Sequence, residues 1–495
     1  VDRVRLLRWG QAINQKIAVS VVFVLALFMN IMDITIVNVA LPRIGRDLDV
    51  TQTAVGAVSI GYLVSLAVVI PASGWLGDRF GSKRVLLTAI VLFTAASALC
   101  GAAQSFVELV GFRVLQGIGG GMLTPVGMAM LYRTFPPAER IRASAILIVP
   151  TAFAPAIGPV LGGLLVTNLS WRWVFYVNLP IGALALGFGV LFVREQGTRS
   201  AGRFDVRGFL LSGLGFAGLM YGISEGPQRG WSDPAVLSTI GVGAVLIAAL
   251  VVTQLRTREP LLRLQLFGDR LFRSSNTVIF LGTAAFLGVL YMAALFFQDG
   301  LGLSPLNSGL STFPEAIGVM LGAQSATRLL YPRLGPRRVM TGGLIGVAVS
   351  VALMSLVGSA HDLFWMRALM FALGLAMSHV FVPAQAAAFA RISSADTARG
   401  STLFNATRQL GGAVGVAVLT TVLAAVGVAH TVAGHSVPDL ASYHVGFLAA
   451  AGLALLAAGA ALTIKDEDAE STRVRPTRHT DPRPSNQPAT AESSA

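Results

Sequence analysis

Charge is scarce in this chain. Only 12% of its 495 residues are Asp, Glu, Lys or Arg, about half the share usual for a soluble domain. Cysteine is scarcer still: Cys100 stands alone, which excludes disulfides within the chain and metal centres built on paired thiolates. No G-x-x-x-x-G-K-[ST] phosphate loop occurs, so direct coupling to ATP has no support. What is present is 54% hydrophobic residues and a mean hydropathy of +0.70. These gather into runs of about 20 residues, the length that crosses a hydrocarbon core as a helix. The reading is an all-α integral membrane protein with about fourteen spans joined mostly by short loops.

The formal charge of +13 and pI near 10.9 would suit nucleic acid if the basic residues formed a patch. They do not. Thirty of the 37 Lys and Arg residues fall in alternate loops and both termini, while the opposite loops hold only Arg43, Arg46, Arg172 and Arg229. That asymmetry is the positive-inside pattern and places both termini in the cytoplasm. No nucleic-acid partner is expected. The first run, 17–41, is too long for a signal-peptide core and is expected to remain as a membrane helix. The expected organisation is a cytoplasmic segment 1–16, a six-helix bundle 17–193, a linker with two inserted helices 194–270, a second six-helix bundle 271–464 and a disordered cytoplasmic tail 465–495.

Asp33 lies inside the first run, where a carboxylate costs roughly 2.5–3.5 kcal/mol and calls for a partner or a cavity. At 1.5 Å per residue it sits roughly 12 Å below the outer end of the first helix. Arg113 lies roughly 10 Å deep in the fourth helix from the same side. Their levels match, and they are expected to pair. Glu315 follows Pro314 at roughly 13 Å depth in the tenth helix. If it faces a cavity, burial there favours the neutral, protonated acid.

The two halves of the chain echo each other at an offset of 254 residues. Gly81-Ser82-Lys83-Arg84-Val85 returns as Gly335-Pro336-Arg337-Arg338-Val339, and Arg113 falls on Arg367. Ala154 and Gly158 fall on Gly411 and Gly415 three residues out of that register. Repeated six-helix units imply a transporter whose halves rock about a site at their interface.

Several segments carry a resemblance. The loop Gly74-Trp75-Leu76-Gly77-Asp78-Arg79-Phe80-Gly81-Ser82-Lys83-Arg84 closely resembles the signature loop of the major facilitator superfamily. In that family the acid, here Asp78, is thought to lock the inward side against a helix N-terminus of the other half, here near Arg399–Thr402. Arg113-Val114-Leu115-Gln116-Gly117 resembles its fourth-helix motif. Gly158-Pro159-Val160-Leu161-Gly162-Gly163 resembles the motif that marks proton-coupled antiporters, with Ala154 in place of an upstream glycine. Independently of the family, Ala154, Gly158 and Gly162 give a smooth face for close helix packing. Asp33-Ile34-Thr35-Ile36-Val37-Asn38, Trp171-Arg172-Trp173-Val174-Phe175-Tyr176-Val177-Asn178-Leu179-Pro180 and Asn405-Ala406-Thr407-Arg408-Gln409 resemble hallmarks of the fourteen-helix drug:proton antiporters.

The resemblance implies a multi-pass protein of the bacterial inner membrane, a proton-coupled exporter of amphipathic compounds, monomeric, with no cofactor beyond the proton gradient. Asp33, Arg113 and Glu315 become the proton-coupling candidates, with Asp33 and Glu315 open alternatives for the coupled proton. Asn38, Gln116, Tyr291, Glu315, His379, Asn405 and Gln409 are the candidates for the substrate cavity. Gly74, Gly77, Asp78, Arg79, Gly81, Arg84, Gly158, Pro159 and Gly162 are the candidates for gating. His379 also reads as an ordinary satisfied polar residue, and Arg408 is placed to reach lipid phosphate. A dedicated exporter of one metabolite, lipid, siderophore or antibiotic stays open, as does a non-transporting receptor or scaffold. Two patterns mislead. Gly222-Ile223-Ser224-Glu225-Gly226 fits G-x-S-x-G but ends a membrane helix with no strand before it. His430, His435 and His444 have spacings that suit no common metal motif. No nucleophile, base and orienting group converge, so an enzyme is not expected.

Overall fold

The computed structural model describes residues 14–195, 202–427, 429–432, 435–438 and 440–472, with a few side chains inside these ranges left undescribed. The expected segments 1–16 and 465–495 therefore lie mostly outside the described residues. Among the described residues fourteen long helices run in order: α1 Gln15–Asp47, α2 Ala57–Phe80, α3 Ser82–Ala102, α4 Phe106–Thr134, α5 Arg140–Asn168, α6 Asn178–Phe192, α7 Val206–Arg229, α8 Pro234–Arg256, α9 Arg270–Leu295, α10 Pro305–Ser325, α11 Tyr331–Met354, α12 Leu363–Ala388, α13 Thr397–Val426 and α14 Leu440–Leu462. Their starts follow local chemistry. Asn14, Ser105, Asp205, Asp233, Asp269 and Ser304 each accept a first-turn amide with the side chain, which relieves unpaired donors at a helix N-terminus.

Twelve helical stretches among the described residues are long and apolar enough to cross a membrane. One of them, Asn307–Met354, has 48 residues, roughly 72 Å of helix and about twice what a 30 Å core requires. It breaks at Gly335, whose φ of 79° lies outside the helical region. Gly81, between α2 and α3, has φ 97°. Both are left-handed positions that favour glycine, and they are the matched glycines of the repeat. At each, a carboxylate from beyond the last helix of its bundle caps the new helix. Glu195 accepts from the amides of Lys83 at 3.0 Å and Arg84 at 3.4 Å, and Asp466 accepts from the amide of Arg337 at 2.8 Å.

Helices α1–α6 form one bundle and α9–α14 a second. In the first, α1 packs on α4, α5 and α6, and α4 packs on α2 and α3. The second has the same pairs with each number raised by eight: α9 on α12, α13 and α14, and α12 on α10 and α11. The inserted hairpin α7–α8 lies outside both, with α7 against α2 and α13. Trp75 Nε1 donates to the Gly202 carbonyl at 3.0 Å and its ring meets Phe204 at 4.8 Å, anchoring the insertion at one end. At the other end Trp231 Nε1 donates to Thr421 Oγ1 at 2.8 Å. A small antiparallel hairpin, β1 Ala429–Val432 with β2 His435–Pro438, joins α13 to α14.

Order extends further into the charged tail than the sequence suggests. Asp466–Thr472 forms a 3₁₀ helix with Ala469 and Thr472 buried. Asp468 pairs with Arg270 at 2.7 Å and Arg391 at 3.4 Å, and Thr472 meets Tyr331 Oη at 2.6 Å. Specific partners on α9, α11 and the turn after α12 hold a segment whose composition alone favours disorder.

Candidate functional site

Asp33 and Arg113 are joined. Arg113 Nη1 donates to Asp33 Oδ2 at 2.5 Å, and the two side chains are 0% and 1% exposed. The pair sits within the first bundle, enclosed on all sides in this conformation. Gln116, one turn beyond Arg113, donates to Asp33 Oδ1 at 2.8 Å, and Asn178 at the start of α6 donates to the same oxygen at 2.9 Å. Arg113 Nε donates to the Val58 carbonyl of α2 at 3.2 Å, and Nη1 donates also to Gln116 Oε1 at 2.8 Å. Its guanidinium lies 4.2 Å from the Tyr62 ring centre. Tyr62 Oη donates to Asn30, whose amide donates to the Gly120 carbonyl. A buried charge pair persists only when its remaining lone pairs and protons are satisfied, and four helices contribute to that here.

Asn178 and Ser97 are partners that sequence reasoning did not assign. Their signal was available: Asn178 is a polar residue at the head of the apolar stretch Trp173–Phe192. The segment Trp171–Asn178 sets its position. Trp171 and Phe175 are buried edge to face at 6.2 Å. Ser97 Oγ of α3 donates to the Phe175 carbonyl at 2.9 Å, and Arg172 donates to the carbonyls of Gly101 and Ala103. The segment is thereby bolted to the end of α3, so α6 begins beside Asp33.

Glu315 stands apart in the second bundle. It is 2% exposed, and its Oε1 has no hydrogen-bond partner among the described residues. Its backbone lies against Gly374 of α12, where a Cβ would overlap the Glu315 carbonyl. The other cavity candidates are found as follows. Asn38 is exposed and accepts from Ser59 at 3.0 Å, and Tyr291 is 41% exposed. Gln116 is committed to Asp33. His379 is held by Ser325 Oγ at 2.9 Å and the Leu375 carbonyl at 2.7 Å, as a satisfied polar residue would be. Asn405 donates to the Ser401 carbonyl and contacts Met128 Sδ across the bundles at 3.2 Å. Gln409 is half-buried on the next turn of α13. A groove of about 540 Å³ between α1 and α5, lined by Ile17, Val21, Val24, Phe135 and Ile146, contains none of these residues.

The gating candidates of the motif loop occupy the end where α2 meets α3. Asp78 pairs with Arg133 of α4 at 2.7 Å, a partner within its own bundle in place of the expected helix N-terminus. A full guanidinium charge outweighs the partial charge of a helix end. The connection to the second bundle runs through its neighbours. Arg133 Nε reaches the Ser394 carbonyl at 3.4 Å. Gly74 lies so close to α13 that a Cβ would sit 2.8 Å from Thr402 Oγ1 and 3.1 Å from the Ala398 carbonyl. Tyr132 stacks on Phe389 at 4.5 Å, and Ser73 meets Thr402 at 3.4 Å. Gly77 is buried beside Ser82, whereas Arg79 and Arg84 are exposed. On α5, Gly158 and Gly162 face Thr35, Ile36 and Val39 of α1. The backbone of Pro159 is helical, and its side chain lies outside the described residues.

Two repeated bundles, the motif loop at their junction and a buried intramembrane ion pair agree with the comparisons to known proteins. A family model described as Major Facilitator Superfamily matches residues 23–416. The chain belongs to the Major Facilitator Superfamily. Membership makes it a multi-pass membrane protein and a secondary transporter. Among relatives of this facilitator, a multidrug resistance protein B homolog of Mycobacterium tuberculosis is 34% identical over 407 residues, covering 81% of this chain and 75% of its own. A putative multidrug resistance protein MdtD of Pectobacterium carotovorum is 32% identical, covering 82% of this chain and 87% of its own. Among solved structures, the human organic anion transporter MFSD10 superposes with a TM-score of 0.64 at 18% identity, covering 90% of this chain and 99% of its own. At that identity the likeness speaks for the fold alone.

Proposed function

We propose that this facilitator is a proton-coupled antiporter that exports lipophilic, amphipathic compounds from the cytoplasm by alternating access. In this reading all fourteen long helices cross the inner membrane, and both termini lie in the cytoplasm. The observation that carries it is the Asp33–Arg113 pair, a fully buried carboxylate held by a cation inside a membrane bundle. An intramembrane acid with a fixed partner is the usual mark of an ion or proton pathway. The multidrug-resistance names of the relatives supply the substrate class.

The contacts of α2 and α4 with α13 include the basic end, which the positive-inside pattern assigns to the cytoplasm, and in this reading the conformation is closed on that side. A proton arriving from outside would neutralise Asp33 and loosen its hold on Arg113. Inward rocking would then release the proton and admit substrate. Glu315, buried and unpartnered on one oxygen among the described residues, is a second proton carrier or a contact for cationic substrates. The deciding measurement is transport of ethidium into inverted membrane vesicles driven by a pH gradient. Asp33→Asn is expected to abolish gradient-driven uptake, and full retention would refute the coupling role.

A further inference from the structure

We infer that Asn178 is a positioning residue for the proton on Asp33, clamping the carboxylate in its charged state and offering an acceptor to the protonated acid when its amide turns over. The inference rests on the reading of Asp33 as a proton site and adds the group that reports its charge to α6. Asn178 is fully buried. Its Nδ2 donates to Asp33 Oδ1 at 2.9 Å and to Ser97 Oγ at 3.0 Å. Its Oδ1 is buried with no partner among the described residues. A buried amide oxygen without a donor is an unusual expense in a folded protein.

The arrangement has a direct chemical consequence. Every side chain bonded to the Asp33 carboxylate is a donor: Arg113 on Oδ2, Gln116 and Asn178 on Oδ1. A carboxylate takes three donors readily, but a carboxylic acid must also donate, and these contacts offer it no acceptor. Half a turn of the Asn178 amide exchanges its NH₂ for the idle oxygen. That oxygen then accepts from the acid, and the Ser97 hydroxyl can rotate toward it from the Phe175 carbonyl. Because Asn178 is the first residue of α6, the change is felt where α6 is bolted to α3. The titratable groups around Asp33 are Arg113 on α4, Tyr62 on α2 and Cys100 on α3. Among the described residues α6 carries none, and those of α5, Arg140 and Arg142, lie at its far basic end.

The test is an infrared pH titration of the full chain in liposomes, following the C=O stretch of protonated carboxyl groups, which needs no substrate. The band removed by Asp33→Asn belongs to Asp33. In Asn178→Leu the carboxylate loses a donor and the acid an acceptor. That acceptor is reached only after the amide gives up its bond to Ser97, so the charged form loses more and the acid keeps its proton to higher pH. The midpoint of that band is expected to rise by roughly half to one pH unit, the size of one such hydrogen bond, and its frequency to increase. Ser97→Ala, which frees the amide but keeps it, is expected to shift the midpoint less and in the same direction. It also decides the matter if Asn178→Leu does not fold. An Asp33 band with unchanged midpoint and frequency in the folded variants overturns the role of Asn178 while leaving Asp33 as the proton site. A spectrum with no band sensitive to Asp33→Asn overturns both.

Discussion

Asp33 and Arg113 have opposite reasons to be absent from a membrane bundle, and each is tolerable because of the other. Removing one leaves a buried charge with only neutral partners, which costs about 3–5 kcal/mol. Replacing both with apolar side chains removes the charges altogether. Thermal unfolding of the purified protein is therefore expected to show large losses for Asp33→Leu and for Arg113→Leu, and a smaller loss for the double variant than for either single one. All three are expected to be inactive in transport. Equal, additive losses would mean that the pair contributes little beyond its separate contacts. This contact was legible in the sequence because a helix rises by a fixed amount per residue, so depth follows from counting. The counts give level but not azimuth. That is why Gln116 read as a cavity residue and is found gripping Asp33, and why Asn178 went unassigned.

Among the elements, α5 shows most plainly how small residues set geometry. Gly158 and Gly162 press against α1 within two turns of Asp33, and a Cβ at Gly158 would overlap the Thr35 side chain and lie 3.3 Å from the Ile36 amide. Gly163, one residue further, has nothing within 4 Å. Gly158→Val is accordingly expected to push α1 and α5 apart and cut transport at least tenfold, whereas Gly163→Val leaves transport near the wild-type rate. Vesicle uptake compared at equal protein level checks both; similar losses would show that helix propensity, not contact, governs this segment. The four-residue spacing announced a packing face but not its partner, since spacing carries no information about which helix arrives. The caps at Glu195 and Asp466 were hidden for a related reason. They lie beyond the ends of the bundles, out of register with the 254-residue repeat, so comparing the halves does not align them.

At the scale of the whole molecule, the described contacts between the bundles are those of α5 with α10 and α12 and those of α2 and α4 with α13. Trp231 ties the inserted hairpin to α13 at the opposite end while Trp75 holds it to α2 at the basic end. The fold class and the repeat were readable from apolar runs and matched glycines, because both are one-dimensional patterns. Which ends touch depends on how two bundles lean, and no local pattern encodes that. Alternating access requires the basic-end contacts to part in every cycle. Ser73 of α2 and Thr402 of α13 place their hydroxyl oxygens 3.4 Å apart, close enough that cysteines at both positions would bond with little adjustment. Cys100 is buried and is the sole native thiol, so it can remain. Oxidation of the Ser73→Cys, Thr402→Cys double variant is expected to stop transport by more than tenfold and a reductant to restore it, with neither single variant sensitive. Transport that continues in the oxidised, cross-linked protein would mean that α2 and α13 need not separate at this end, and a mechanism based on rocking of the two bundles would have to be abandoned.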